Sequence, residues 1–357
     1  MGREVVGLKI GASGLTAARI AVNGAPRLVA VASASLEPGI VSGGEVRDPG
    51  RLADALKAFF AANKLPRKNV RVGVANNRIG VRTIDLAGVG DAKQLANAIR
   101  FRAQEALPIP LDEAVLDYQV LADGVDAEGT ATKRVLFVVA YRDLVERYAE
   151  SCKRAGLRLL GIDLEAFALV RALAPLAEAV EDGETDGRGA LVAVSIGAER
   201  STLAVSDGLT CEFTRILDWG GASLTAALAV ELGIEEAEAE RLKIEVGLHA
   251  DSAPEGLTAD WVAQVRKTLV LGVQGFAREL VASLQFYQSQ PGSLGIREIA
   301  LAGGTARMDG LAEVLERMVG VAVRIGDPLV NLAAAKKIKG GEPDPSLAIA
   351  IGLGMGS

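Results

Sequence analysis

The stretch VVGLKIGASGLTAARI, residues 5–20, predicts an apolar strand, a glycine-rich turn and a second strand. A second stretch, VAVSIGAERSTLAV at residues 192–205, repeats this pattern, with Ile-Gly-Ala at 196–198 in the place of Ile-Gly-Ala at 10–12. The offset is 197 − 11 = 186 residues. Because each copy runs from an apolar strand through a tight turn into another strand, we interpret the pair as an internal duplication.

Length and composition agree with two lobes. The chain has 357 residues, and single hydrophobic cores stop growing near roughly 250–300 residues. Half of the residues are hydrophobic while 4% are aromatic, and there are 41 Gly, which is typical of α/β proteins with many tight turns. We therefore expect parallel or mixed sheets flanked by helices.

The charge pattern argues against nucleic acid as a partner. The 39 Lys and Arg stand against 45 Asp and Glu, and neither sign gathers into long blocks. The N-terminal segment lacks the apolar core of a signal peptide, and no stretch approaches 18 uninterrupted apolar residues, so we expect the chain to stay in the cytoplasm. Cys152, Cys211 and His249 fit no metal spacing, which predicts buried reduced thiols, a solvated histidine and no metal site.

Strands and helices alternate along the first half of the chain. Residues 5–33 predict a β-meander with an Asn-Gly turn in VNGAP, followed by a helix in DPGRLADALKAFFAANKLP and the strand NVRVGVA. The next elements can form an inserted module. They are a helix in DAKQLANAIRFRAQEAL, the strands AVLDYQVLA and KRVLFVVAY, and a helix in RDLVERYAESCKRAG. The acidic segment at 177–189 predicts a linker between the lobes.

Four segments contain residues suited to a nucleotide. Two glycine hairpins facing each other across a cleft can direct backbone N–H groups at phosphates, although one such hairpin alone is more often a plain β-turn. EIALAGGTARMDGLAEVLERMVG predicts a strand, a Gly-Gly turn and a helix start that can support a sugar or phosphate. Glu240 and Lys243 lie three apart on one helical face and can contact an adenosine, or form an ordinary solvated ion pair.

The order of these segments resembles the actin-like ATPase superfamily, and within it the PilM family of type IV pilus assembly proteins. The resemblance spans nearly the whole chain. Its most specific stretches are LEPGIVSGGEVRDPGRLADALKAFF, FRAQEALPIPLDEAVLDYQVL, LEAFALVRAL, TRILDWGGASLTAALA and LVASLQFYQSQPGSLGIREIALAGGTARMDGLAEVL.

The resemblance implies an α/β, actin-like (ribonuclease H-like) two-lobe fold with an inserted subdomain in the first lobe. The implied division is the first lobe at 1–81 and 161–188, the latter including the linker, the inserted subdomain at 82–160, the second lobe at 189–340 with a helical subdomain at about 221–275, and a helix at 341–357 that returns to the first lobe.

The resemblance also implies ATP or ADP in a cleft between the lobes. The implied nucleotide-binding residues are Lys9, Gly11, Ala12, Ser13 and Gly14 at the first turn, Gly197, Ala198, Glu199 and Arg200 at the second, Glu240 and Lys243 at the adenosine wall, and Gly303, Gly304 and Thr305 at the adenosine turn.

The chain departs from the family pattern at two positions. Lys9 and Ser195 stand where the family usually carries Asp, so both acidic groups that hold magnesium or orient the attacking water are missing. This argues against magnesium and predicts slow or absent hydrolysis, with the catalytic residues unknown. The Lys9 ammonium can either neutralise a phosphate or extend into a water-filled cleft with its stem on apolar surface.

The family's partner is the short cytoplasmic N-terminal segment of PilN, a membrane protein, held beside the inserted subdomain, and the family's setting adds pilus motor components. We therefore expect a scaffold at the inner face of the membrane. One alternative is an active ATPase in which Asp163 or Glu165 supplies the missing acid. Another is a membrane-associated filament former similar to FtsA, which the lack of Lys and Arg in DPSLAIAIGLGMGS disfavours.

Overall fold

A computed structural model describes residues 3–89, 91–106, 110–125, 129–175, 189–208, 210–249, 256–333, 338–340 and 344–356. The predicted linker at 177–189 lies outside these residues except for Gly189. The strands of this part are β1 (Glu4–Ile10), β2 (Gly14–Ala21), β3 (Arg27–Ser35), β4 (Val41–Ser42), β5 (Glu45–Val46), β6 (Lys68–Val74), β7 (Ile79–Ala87), β8 (Ala114–Val125), β9 (Ala131–Tyr141), β10 (Arg158–Leu164), β11 (Ala190–Ile196), β12 (Ser201–Ser206), β13 (Cys211–Leu217), β14 (Ile296–Ala302) and β15 (Val323–Ile325).

The helices account for most of the remaining described residues. They are α1 (Pro49–Ala62), α2 (Ala92–Ala106), α3 (Arg142–Arg154), α4 (Glu165–Leu173), α5 (Gly221–Leu232), α6 (Glu236–Val246), α7 (Ala259–Gln288), α8 (Leu311–Val319) and α9 (Ala348–Met355). None of these helices combines the length and the apolar character that crossing a bilayer requires.

Two five-stranded sheets share one topology. The first has the order β10-β6-β1-β2-β3 and the second the order β15-β14-β11-β12-β13. In each sheet the first three strands form an antiparallel meander. A later strand then pairs in parallel with the first strand, and the last strand pairs in parallel with that one. This shared topology confirms the internal duplication, because β1 and β11 occupy the same position and each is followed by its glycine turn.

Each sheet builds a lobe around its own core. In the first lobe, α1 and α3 bury apolar side chains against β1 and β6, and the short β4–β5 hairpin contributes Val41 and Val46 to the same core. In the second lobe, α5, α6, α7 and α8 cover β11, β12 and β14. The helix α7 continues to Gln288, past the predicted limit of the helical subdomain near 275, because Phe276, Leu280 and Leu284 remain buried.

A separate three-stranded sheet occupies the inserted region. Its order is β7-β9-β8, and α2 packs on it around a core that includes Ile99 and Phe137. The sheet begins at Ile79, whereas the expected insert began at residue 82. The helix α3 lies within the expected limits of 82–160, yet its buried face, including Leu144 and Tyr148, belongs to the core of the first lobe. The domain limits themselves remain a prediction.

Two helices cross between the lobes. The helix α4 follows β10 of the first sheet and packs against β11 and β12 of the second, while α9 packs against β1, β2 and β6 of the first sheet. The two helices also contact each other closely, since a Cβ added at Gly352 would lie 1.8 Å from the carbonyl oxygen of Ala168. Only glycine therefore fits at this crossing, which joins the two lobes into one packed unit.

Candidate functional site

The first glycine turn joins β1 to β2. The N–H of Gly11 donates to the carbonyl of Gly14 at 2.9 Å, which closes a four-residue turn. Ser13 is exposed at the tip of the turn, and its carbonyl accepts a hydrogen bond from the N–H of Leu36 at 2.9 Å. The predicted residues from Gly11 to Gly14, including Ala12, thus form one tight turn that is anchored to the end of the meander.

The second glycine turn joins β11 to β12 with the same closure. The N–H of Gly197 donates to the carbonyl of Arg200 at 2.9 Å, in the position that Gly11 and Gly14 occupy in the first turn. The carbonyls of Gly197 and Ala198 then accept hydrogen bonds from the first two N–H groups of α5, at 2.9 and 2.8 Å. The second turn is therefore fixed to the start of a helix, which the first turn is not.

Lys9 has an acidic neighbour in its own lobe. Lys9 is half-buried on β1 and lies in register with Gly73 of β6. A Cβ added at Gly73 would lie 3.1 Å from Cγ of Glu165, so the Glu165 side chain lies against β6, the strand next to the one that carries Lys9. Burial raises the pKa of Glu165, and the positive charge of Lys9 opposes that rise. Lys9 and Glu165 therefore interact electrostatically within the first lobe.

The two acids of the alternative ATPase hypothesis have different surroundings. The carboxylate of Asp163 forms an ion pair with Arg171 of α4 and accepts a hydrogen bond from the N–H of Leu164 at 2.8 Å. Glu165 is 7% exposed. Glu165 interacts electrostatically with Lys9.

The predicted adenosine wall is built around a buried lysine. Lys243 is 7% exposed, and its ammonium donates to the carbonyl of Gly221 at 3.1 Å and to Oγ1 of Thr225 at 2.8 Å. It also forms an ion pair with Glu240, which accepts a second hydrogen bond from Thr225. Burial acts to raise the pKa of Glu240, but the hydrogen bonds from Lys243 and Thr225 outweigh it and lower that pKa. The pair is half-buried: the Lys243 side chain is enclosed by the fold, whereas the Glu240 side chain is 47% exposed.

The predicted adenosine turn meets this wall. Gly303 has a φ of +88°, and its N–H donates to the carbonyl of Pro345 at 3.0 Å. Thr305 donates through Oγ1 to the carbonyl of Gly197 at 3.0 Å, which places the adenosine turn beside the second glycine turn. Gly304 has open space where a side chain would stand. The second turn, the α5 start, Lys243 and Thr305 are therefore one contiguous cluster.

Glu199 and Arg200 reach across to the first lobe. The Glu199 carboxylate accepts hydrogen bonds from the N–H of Gly43 at 2.7 Å and from the Ser42 hydroxyl at 3.4 Å. Arg200 forms an ion pair with Asp218 at 2.9 Å, and a Cβ added at Gly44 would lie 3.2 Å from its Nη1. The two charged residues of the second turn thus contact the tip of the β4–β5 hairpin.

Several residues of this interlobe contact were not predicted from the sequence. They are Ser42, Gly43, Gly44, Asn76, Asn77 and Asp218. The available signal was the Ser-Gly-Gly run inside one of the family-specific stretches, because paired glycines at a hairpin tip permit close approach by another chain segment.

The cleft contains cationic and unpartnered polar groups suited to an anionic ligand. Nη1 of Arg200 and Oγ1 of Thr16 are buried without a hydrogen-bond partner among the described residues, and Thr16 lies in register with Lys9. The two positions usually acidic in the family are Lys9 and Ser195. In the described ranges no three His, Cys, Asp or Glu side chains group as a metal site. Lys9 and Arg200 carry the charge that suits phosphate oxygens, and positions 9 and 195 lack the carboxylates that the family resemblance leads us to expect for magnesium.

The cysteines and the histidine play no part in this cleft. Cys152 and Cys211 are both buried and free, and burial raises the pKa of each thiol to about 12. Such thiols stay protonated and unreactive at neutral pH. His249 is half exposed and lies 2.8 Å from Asp309.

A cavity of about 160 Å³ lies at the base of the inserted sheet. It is lined by the end of β6, the start of β7 with Ile79 and Val81, and the edge strand β13 with Ile216. An ion pair between Arg134 of β9 and Glu212 of β13, at 3.1 Å, joins the inserted sheet to the second lobe next to it. The cavity therefore stands between two strands that each end a sheet.

Two similar lobes joined by crossed helices, with a cleft between paired glycine turns, define an actin-like fold. The family model described as "Type IV pilus assembly protein PilM" matches residues 7–357. The chain belongs to this family.

Solved structures and relatives support the same assignment. The structure titled "PilM-PilN type IV pilus biogenesis complex" is similar over 100% of both chains, with 25% identity and a TM-score of 0.79. MreB5 of Spiroplasma citri bound to ADP is 14% identical, with a TM-score of 0.54 over 98% of this chain and 94% of that one. Cell division protein FtsA of Bacillus subtilis (strain 168) is 24% identical over 311 residues, which cover 76% of this chain and 67% of FtsA. These similarities confirm the predicted actin-like fold and the predicted family.

Proposed function

We propose that this protein is a cytoplasmic scaffold of a type IV pilus assembly platform at the inner membrane, and that it binds the N-terminal cytoplasmic peptide of a PilN-like membrane protein. The observation that carries the proposal is the similarity to the PilM–PilN complex structure, which covers the whole of this chain and the whole of the matched chain. Contacts with pilus motor components fit the same role. The membrane would then be reached through the partner.

The inserted sheet is the proposed peptide site. Its strands β7 and β8 lie at the two edges of the sheet, and edge strands bind extended peptides through main-chain hydrogen bonds while pockets receive alternate side chains. The cavity between β7 and β13 can receive one apolar side chain of such a peptide. The peptide would lie along β7, with its side chain between Val81 and Ile216.

A binding experiment tests this placement. Isothermal titration of the full chain with a synthetic N-terminal peptide of the PilN-like protein should give saturable binding. Ile216→Trp, which fills the cavity, should weaken that binding, whereas Val230→Trp at an 85% exposed position of α5 should not. Absence of binding to the native chain would refute the scaffold role. Equal affinities of both variants would refute only the position of the site.

Nucleotide binding is the second part of the proposal. ATP or ADP would lie between the two glycine turns, with Lys9 and Arg200 at the phosphates and the Lys243–Thr305 cluster near the adenosine. The positive charges and the unpartnered Arg200 donor support an anionic ligand. With Lys9 and Ser195 in the usual acidic positions, hydrolysis should be slow or absent.

A filament-forming role similar to that of FtsA is the alternative, and its motivation is the 24% identity to FtsA over 311 residues. Sedimentation of the purified chain with nucleotide, with and without liposomes of anionic lipid, separates the two roles. Pelleting that requires neither partner nor peptide would favour the filament. A chain that stays in the supernatant and binds the peptide would favour the scaffold.

A further inference from the structure

The β4–β5 hairpin is held from both sides. On one side, the carboxylate of Glu199 accepts the N–H of Gly43 at 2.7 Å, and the guanidinium of Arg200 lies over Gly44. Gly43 and Gly44 have φ values of +58° and +67°, and a Cβ at Gly44 would lie 2.3 Å from the carbonyl oxygen of Ala75. A side chain at Gly44 would collide with Ala75 of the first lobe and crowd Nη1 of Arg200 at 3.2 Å, so glycine at the hairpin tip lets both neighbours approach closely.

On its other side, the hairpin is bound to the segment that leads into the inserted sheet. The buried amide of Asn76 donates to the carbonyl of Gly43 at 2.9 Å and accepts the N–H of Arg78 at 2.8 Å. The Arg78 guanidinium lies 3.6 Å from Glu45 of β5. Because β7 begins at Ile79, these contacts fix the first chain crossing into the sheet.

The hairpin is also bound to the segment that leaves the inserted sheet. The hydroxyl of Tyr148 on α3 donates to the carbonyl of Gly44 at 3.2 Å, and Arg147 donates to the carbonyl of Val46 at 3.3 Å. Arg78 pairs with Asp143 at 2.7 Å, which connects the entering and leaving segments directly. Both crossings of the inserted sheet are therefore bonded to one hairpin.

Two further contacts join the second lobe to these crossings. Asn77 donates to Asp218 at 3.1 Å, and Asp218 is also the partner of Arg200. The ion pair between Arg134 and Glu212 lies farther along the inserted sheet. Opening the lobes would break the contacts of Asn77 with Asp218 and of Gly43 with Glu199 together, because each joins the first lobe to the second.

We propose that Glu199, Arg200 and Asp218 form an interlobe latch, and that the latch couples closure of the cleft to the placement of the inserted sheet. When the lobes are closed, the second glycine turn holds the hairpin, and the hairpin holds segments 76–78 and 141–148. When the latch opens, both segments lose part of their anchoring. The second glycine turn thereby influences the placement of the inserted sheet through the β4–β5 hairpin. This inference does not depend on the identity of the partner.

Distance measurements with spin labels test the first half of the proposal. Labels on Asp54→Cys of α1 and Glu236→Cys of α6 report the separation of the lobes, and the buried Cys152 and Cys211 stay unlabelled. In a chain with Glu199→Ala and Asp218→Ala, the population at longer distance should grow about threefold to tenfold, as expected for losing exposed hydrogen bonds. The matched control is Glu37→Ala, which removes an exposed carboxylate paired with Arg51 within the first lobe.

Hydrogen exchange of the same chains tests the second half. Amide exchange in segments 76–81 and 141–148 should rise by a similar factor in the latch variant and stay unchanged in the Glu37→Ala control. An unchanged distance distribution would overturn the latch. Unchanged exchange in those two segments would overturn the coupling, even where the lobes separate.

Discussion

The two glycine turns share a backbone and differ in what their charged side chains contact. Gly11 and Gly197 each donate to the carbonyl three residues later at 2.9 Å. Beside the first turn, Lys9 faces Glu165 at the base of the same lobe. At the second, Glu199 binds the opposite lobe. Strand pairing and glycine thus preserve the turn, while the residues that lie opposite decide whether its charges serve a ligand or an interlobe contact.

The largest expected effect tests whether the two turns belong to one cooperative unit. A valine at Gly352 would place its Cβ 1.8 Å from the carbonyl oxygen of Ala168, so the crossed helices would have to separate. We expect Gly352→Val to destabilise the fold by about 4 kcal/mol or more, and both lobes to lose protection together. Thermal unfolding followed by circular dichroism measures this loss.

The matched control for Gly352→Val is Gly161→Val. Gly161 lies in β10, has an ordinary backbone and has no atom within 4 Å of an added Cβ. If the Gly352→Val and Gly161→Val proteins unfold at the same temperature, the helix crossing tolerates separation and the lobes are independent.

The next effect tests the buried lysine beside the second glycine turn. Lys243→Met removes the buried ammonium and leaves Glu240 and the Gly221 carbonyl without their donor, so we expect a loss of about 2–4 kcal/mol in the free energy of unfolding. Arg241→Met on the same helix removes only exposed ion pairs and should leave the unfolding midpoint unchanged. Equal unfolding midpoints for the two variants would mean that the contacts of Lys243 do not stabilise the fold.

Nucleotide binding tests the role of Lys9 in the first turn. Two unit charges about 4 Å apart interact by roughly 4 kcal/mol at an effective dielectric near 20, and solvent and Glu165 will reduce this. We expect Lys9→Ala to weaken ATP binding about tenfold, and binding by the native chain to depend little on magnesium. Lys9→Asp with Ser195→Asp should make it magnesium-dependent.

Calorimetry with and without EDTA measures these affinities, and Lys57→Ala, an exposed lysine of α1, is the control. Strong magnesium dependence in the native chain, or an unchanged affinity after Lys9→Ala, would remove the phosphate role of Lys9.

The smallest expected effect is a pH dependence at Glu165. Because burial raises the pKa of Glu165 above its unfolded value, folding favours the protonated acid. The stability that this group contributes is complete below the unfolded pKa and is lost as pH rises through the folded pKa. Glu165→Gln should therefore be more stable than the native chain at pH 7, with a flatter dependence of stability on pH. Denaturant titrations between pH 4 and pH 8 decide this, and a native chain that is the more stable one at pH 7 would contradict it.

The sequence was sufficient for the strands and for the duplication. Residues 5–20 and 192–205 each form the predicted hairpin, because strand alternation and glycine turns are local signals. The Asn-Gly turn between β2 and β3 also lies where VNGAP placed it, with Gly24 at a φ of +78°. The α/β class followed from these local units, whereas the actin-like two-lobe fold was implied by the family resemblance.

The interlobe contacts could not be predicted in the same way. Glu199 meets Gly43 across 156 residues of chain, and nothing in the residues around either one indicates the other. Likewise, Glu165 begins a helix, as its place in LEAFAL suggested, but its burial beside Lys9 depends on how β10, β6 and β1 pair. Contacts of this kind arise from tertiary packing, which overrides local preference.

The crossed helices set a timetable for folding during synthesis. The helix α9 covers β1, β2 and β6, yet its first residue is made 338 residues after Ile10, since 348 − 10 = 338. At a translation rate of about 5–20 residues per second, that face of the first sheet stays uncovered for roughly 17–68 s. Throughout that interval the nascent chain exposes apolar strand surface, including Ala18 and Ile20, that α9 later covers. The first sheet of this protein therefore keeps exposed apolar surface, which favours aggregation, until α9 has been synthesised.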